Sequence, residues 1–196
     1  MVEDGSQPER DQEQEGASKG EQLIAAARGN NTDLLKEIIA SFSDAQELAD
    51  VLNNTKTPMG NYIYHEAALN GNYEIIDTLL DQEGFECDPI NRVEGDTPLH
   101  SAIRYFNSLP LDDPEIQTYA RDLILMMIDC GSDPRITNKA NLTPYHLTDP
   151  KNTALRSVIQ EAMDLEQNKG DYILEEINAD DAEQSGPGSA SESDDN

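Results

Sequence analysis

One phrase is written three times in this chain. It reads Asn61-Tyr62-Ile63-Tyr64-His65-Glu66-Ala67-Ala68, then Asp96-Thr97-Pro98-Leu99-His100-Ser101-Ala102-Ile103, then Leu142-Thr143-Pro144-Tyr145-His146-Leu147-Thr148. The three histidines stand 35 and then 46 residues apart. In each copy a turn leads into a short helix of small residues. Self-similarity at such a period means stacked supersecondary units, none of which can bury its apolar face alone. The expected fold class is therefore all-α, a solenoid of helix pairs.

The phrase has a physical reading position by position. Pro98 and Pro144 fall at first helical positions, where the missing N–H costs nothing and φ is already suitable. Thr97 and Thr143 precede them as caps, each with a hydroxyl for a free helical N–H. Leu99 and Tyr145 point to the core, and Ala102 and the Ala67-Ala68 pair let helices approach closely. Thr-Pro-Leu-His-x-Ala, complete at residues 97–102, is the ankyrin signature, and the chain resembles the ankyrin-repeat family over roughly residues 21–167. Its layout is similar to that of small, acidic, intracellular fungal members with an acidic C-terminal tail. The resemblance implies about four helix-turn-helix repeats with β-turn fingers between them.

The repeats are expected at about 21–53, 54–91, 92–137 and 138–167. Laying Ala26-Ala27 over Ala67-Ala68 sets Leu34-Leu35 over Ile75-Ile76 without a gap, so the first repeat has lost its motif, as terminal repeats do. A third short helix, Asp44 to Leu52, follows it. In the second repeat Tyr62-Ile63-Tyr64 replaces Thr-Pro-Leu and weakens the cap. The third has inner helix Pro98–Phe106 and outer helix Tyr119–Cys130, separated by a twelve-residue insertion, 107–118, whose two prolines predict a surface loop. The fourth has an inner helix from Pro144, cut short by Asp149-Pro150, and an outer helix from Thr153 to Gln167, stopping at Asn168-Lys169-Gly170. Residues 1–20 form an N-terminal tail and 169–196 an acidic C-terminal one. Both are too poor in apolar side chains to offset ordering entropy along most of their length. Within the second, residues 171–177 (Asp-Tyr-Ile-Leu-Glu-Glu-Ile) are either one more turn capping the stack or loose chain.

The net charge is −27, from 40 acids against 13 bases, and residues 161–196 hold twelve acids and one base. Such a field repels nucleic acid and anionic lipid and favours a basic protein partner, although an acidic tail also serves solubility alone. Cys87 and Cys130 cannot make a disulfide framework and form no metal-type pair, and they read as reduced thiols. The polar N-terminus is unlike a secretory or mitochondrial leader, and no apolar run approaches 18 residues. A cytoplasmic or nuclear monomer is expected, with the Asn-x-Thr sequons at Asn30, Asn53 and Asn141 unused. Ser189 and Ser191 each precede an acid by three positions and suit an acid-directed kinase.

His65, His100 and His146 are the natural suspects for zinc or base catalysis. Zinc needs three or four ligands within about 2.0–2.3 Å of one point. Equivalent positions in stacked helices lie about 10 Å apart and cannot share an ion. The family resemblance implies instead that each histidine hydrogen-bonds the Thr hydroxyl and the backbone of neighbouring turns. With no phosphate loop, nucleophile elbow or His-Glu-x-x-His motif, no cofactor, metal or catalytic residue is expected. The resemblance places a protein partner on the fingers and inner helices. It marks Lys56, Asn61, Arg92, Glu94 and Lys139 on the fingers, and Glu66, Asn70, Ser101, Arg104 and Tyr105 on the inner helices. Tyr105 and Arg104 are the expected hot spots. Two functions follow: a non-catalytic adaptor binding one protein, or an escort that shields a basic protein, such as a ribosomal protein or histone, with its acidic tail.

Overall fold

The computed structural model describes residues 16–110 and 112–165. The expected tails, apart from residues 16–20, lie outside them, as do the 171–177 turn and the two serine sites. The elements are α1 (Lys19–Gly29), α2 (Thr32–Ala40), α3 (Ala45–Asn54), α4 (Ile63–Leu69), α5 (Tyr73–Leu80), α6 (Pro98–Asn107), α7 (Pro114–Asp129) and α8 (Pro144–Leu147). A ninth helix, α9, covers residues 153–165. No strand occurs among the described residues, and a single antiparallel bridge joins Lys56 to Tyr62.

The inner helices touch in the series α1, α4, α6, α8, and the outer helices in the series α2, α5, α7. One apolar core runs through the stack, from Leu23 and Leu35 through Ile63, Ile75, Leu99 and Leu123 to Leu155 and Ile159. Ala26, Ala67 and Ala102 are fully buried at the inner-helix contacts, where a larger side chain would push the helices apart.

Two expectations are corrected. The first helix begins at Lys19, within the expected N-terminal tail, because Ser18 and Glu21 form a reciprocal capping box. The insertion is not wholly a loop: α7 begins at Pro114, five residues before Tyr119. Asp113 caps it by accepting from the Glu115 N–H at 2.9 Å, and Pro114 takes its first turn. The Asp-Pro pair starts a helix here rather than breaking one. The extension brings the Tyr119 hydroxyl to the Gly71 carbonyl, to which it donates a hydrogen bond. The lengthened outer helix thereby clamps the turn of the preceding repeat.

The histidines form a ladder through the stack. His100 Nδ1 accepts from the Thr97 N–H at 3.2 Å, and its Nε2 donates to the Leu142 carbonyl of the next finger at 2.9 Å. His65 Nε2 donates to the Asp96 carbonyl, the equivalent position one repeat earlier, at 2.8 Å. Tyr62 offers no hydroxyl cap, however, and His65 Nδ1 is buried without a partner. His146 is bonded to Thr143 through Nδ1 and is exposed at the end of the described stack. Burial pushes the His65 and His100 imidazoles below their ordinary range, with the carbonyl bonds opposing it. Both rings are held neutral.

Candidate functional site

Polar side chains on the inner helices and finger bases form one connected floor across the stack. Arg28 on α1 donates through Nε to Glu66 on α4 at 2.7 Å. Glu66 also accepts from Asn61 Nδ2 at 3.0 Å. Asn61 Oδ1 accepts from Asn91 Nδ2 at 3.2 Å, and Asn91 Oδ1 in turn accepts from the Asp96 N–H at 3.1 Å. Asp96 accepts from Arg104 Nε at 2.6 Å and from Asn138 Nδ2 at 2.8 Å. The chain of bonds therefore runs from the first repeat to the fourth. Burial by itself would raise the Asp96 carboxyl, but the bonds from Arg104 and Asn138 outweigh it and hold the group below the usual carboxylate range.

The two ion pairs share one design. The carboxylate is sunk and the guanidinium is left at the surface: Glu66 is 8% exposed against 55% for Arg28, and Asp96 is 1% against 40% for Arg104. Each arginine is held through Nε, which fixes the plane of its fork before any partner arrives. Between the pairs lies a small recess of about 110 Å³, lined by Leu69, Asn91, Glu94, Ser101 and Arg104 among others.

The structure redistributes the residues expected to face a partner. Glu66 and Ser101 are corrected: at 6% and 1% exposure they belong to the interior. The helices turn those positions toward the neighbouring repeat rather than toward solvent. Tyr105 is also corrected as a freely presented anchor. It is half-buried, packs edge-on to Phe106 with ring centroids 5.1 Å apart, and lies over Gly71. Asn70 is exposed, and its amide donates to the Glu66 carbonyl at 2.7 Å. Glu94 is exposed beside Asn91.

The finger bases are exposed, yet they act as staples. The Arg92 guanidinium donates to the Pro58 carbonyl of the preceding finger at 2.9 Å. Lys139 repeats the arrangement one finger on, donating through Nζ to the Arg92 carbonyl at 2.5 Å and to the Val93 carbonyl at 3.2 Å. Room for this exists because Gly60 and Gly95 carry no side chain: a Cβ on Gly60 would fall 2.5 Å from Arg92 Cβ, and one on Gly95 2.8 Å from Lys139 Cγ. Lys56 lies over the Tyr62 ring, 4.3 Å from its centroid.

Arg28, Asn91, Asp96 and Asn138 were not singled out from sequence. Arg28 was within reach, since continuing the gapless superposition of the first repeat past Ala27 sets it at the position of Leu69 and Arg104. Asn91 and Asn138 occupy one finger position in successive repeats and hold their own turns, the latter by accepting from the N–H groups of Ala140 and Leu142. Among the described residues no cluster of His, Cys, Asp or Glu is arranged to hold a metal ion. No described helix is long and apolar enough to cross a membrane.

The comparisons agree with this architecture. The family described as ankyrin repeats (3 copies) matches residues 23–111. The ankyrin repeat-containing protein YGL242C of Saccharomyces cerevisiae is 43% identical over 136 residues, which are 68% of this chain and 71% of that protein. A histidine ladder, stacked helix pairs and a relative of this similarity lead to one conclusion: the chain belongs to the ankyrin-repeat family.

Proposed function

We propose that this protein is a non-catalytic adaptor that holds a protein partner against its inner helices and fingers. Ankyrin repeats generally mediate protein–protein interaction, and the family is typically without catalytic activity. The observation that supports this face in particular is the pre-organised polar floor. Arg28 and Arg104 are fixed by sunken carboxylates while their outer edges stay open to solvent. Groups already held in place lose little rotamer freedom on binding, which is what makes an arginine an effective anchor.

Leu69 supplies the test. It is half-buried at the edge of the recess, in the position that arginine occupies in the first and third repeats, so Leu69→Arg fits the stack and fills the recess. A partner purified with the wild type should be lost with Leu69→Arg and retained with Lys36→Glu on the outer helix α2. Loss with the outer-helix change and retention with Leu69→Arg would sink the proposal.

A second reading rests on the charge of −27 and its concentration beyond residue 160. In it the chain escorts a basic protein, with the acidic tail supplying long-range attraction that salt screens. Ending the chain at Ala179 removes six acids and leaves the repeats intact. An escort loses capture of basic partners on that truncation and in high salt. Capture unchanged by both leaves the inner-helix face as the whole of the function.

A further inference from the structure

The fourth repeat leaves an apolar groove open on the outer side of the stack. Leu125 and Ile128 on α7 face Val158, Ala162 and Leu165 on α9, around a space of about 340 Å³. Leu165, the last described residue, is 63% exposed at its edge. Leu155 and Ile159 carry the apolar core into α9, and the groove lies beside them at the last described repeat. Terminal repeats need a covering layer because their outer apolar positions otherwise meet water.

The chain that follows carries a matching segment within reach. Tyr172 is only seven residues beyond Leu165, and Asn168-Lys169-Gly170 between them has the composition of a helix stop and turn. In residues 171–177, Ile173, Leu174 and Ile177 fall within one arc of about 100° on a helical wheel. Asp171, Glu175 and Glu176 lie about 100° or more from the middle of that arc. A reversal centred on Lys169 sets Ile173 against Leu165 and Ile177 against Glu161 and Ala162. The 173–177 interval then spans the same length, about 6 Å, as the 161–165 interval it would cover. Apolar side chains are otherwise scarce beyond residue 166.

We propose that residues 172–177 turn back antiparallel to α9 and cover the α7–α9 groove as an intramolecular cap. The like charges on the rim, Asp129 and Glu161, set the orientation. Only the face bearing Ile173, Leu174 and Ile177 enters, because turning the segment over would bring Glu175 against Glu161. The tail proper then starts at about residue 178 and leaves from the outer side, away from the polar floor.

Hydrogen exchange of the full chain, followed by mass spectrometry, tests the cap. A six-residue segment is too short to hold helix by itself in water, so protection there requires docking. Amides of 172–177 are expected to exchange at least about tenfold slower than in a free peptide of the same sequence. The double change Ile173→Asp with Ile177→Asp should abolish that protection and speed exchange in 158–165. Both residues lie beyond the described repeats, and the circular dichroism of the stack should be retained. Free-peptide exchange at 172–177 in the wild type would overturn the proposal. So would protection that rises with protein concentration, since the groove would then be covered by a second copy of the chain.

Discussion

Gly71 and Tyr105 provide a sharp test of how the repeats are joined. Gly71 forms the turn between α4 and α5 at φ +63°, a left-handed conformation. A Cβ there would stand 2.7 Å from Tyr105 Cζ and 2.8 Å from Cδ1, and nearer still to Cε1. The ring cannot simply swing aside, because it packs against Phe106, and the turn cannot retreat, because Tyr119 holds the Gly71 carbonyl. Gly71→Ala therefore carries two penalties: about 1–2 kcal/mol for a left-handed residue with a Cβ, and about 1–3 kcal/mol for overpacking against a confined ring. In a Tyr105→Ala background only the first remains. Denaturant unfolding of the four proteins in the cycle should yield a coupling of about 1–3 kcal/mol. Equal penalties for Gly71→Ala in both backgrounds would refute the claim that the second turn is moulded to the third repeat's tyrosine.

Two further outcomes follow from the histidine ladder. Tyr62→Thr supplies the hydroxyl that His65 Nδ1 lacks and should raise stability by about 0.5–1 kcal/mol, a typical cap contribution reduced by the lost stacking on His65 and Lys56; a lower denaturation midpoint contradicts this. His65 and His100 have folded pKa values below their ordinary 6.5, so the unfolded chain binds protons first as pH falls. Their contribution is complete above the unfolded pKa and declines below about pH 6.5, with a limiting slope of about 1.4 kcal/mol per pH unit for each ring. Asp96 adds a loss only below the ordinary carboxylate pKa, as its Arg104 and Asn138 bonds yield to protonation, whereas Asp88, raised by burial, acts in the opposite direction and above that value. Chemical denaturation between pH 5 and 7 isolates the histidines, and a midpoint constant across that interval, or the same dependence in His100→Gln, rules out the ladder as its source.

The architecture was legible because the repeated phrase specifies backbone and packing together. A Thr hydroxyl caps, Pro fits the first turn, His ties one finger to the next, and each requirement recurs at the same position. The insertion was harder to read. Asp113-Pro114 has the composition of a breaker and the geometry of a starter, and only the tertiary position of Tyr119 against Gly71 distinguishes them. The partner face was read least well, for a physical reason. An inner helix of seven to ten residues is surrounded by its own repeat, its neighbours and a finger, so helical phase alone does not say which polar residue meets solvent. The family resemblance sets Glu66 and Ser101 on the partner face, yet both are buried: Arg28 closes over Glu66, and Ser101 lies at the bottom of the recess with Asn61 and Leu69 of the preceding repeat. Arg92 and Lys139 read as free finger tips, whereas their carbonyl partners lie more than 30 residues away in sequence.

Binding of a partner on the polar floor is tested most directly by a hydrogen-exchange footprint of the complex with a co-purified partner. Slowed exchange is expected in residues 61–70 and 91–105, spanning the second and third fingers and inner helices, with Arg28 at the margin. Slowed exchange confined to α2, α5 and α7, with residues 61–70 and 91–105 unchanged, would contradict it.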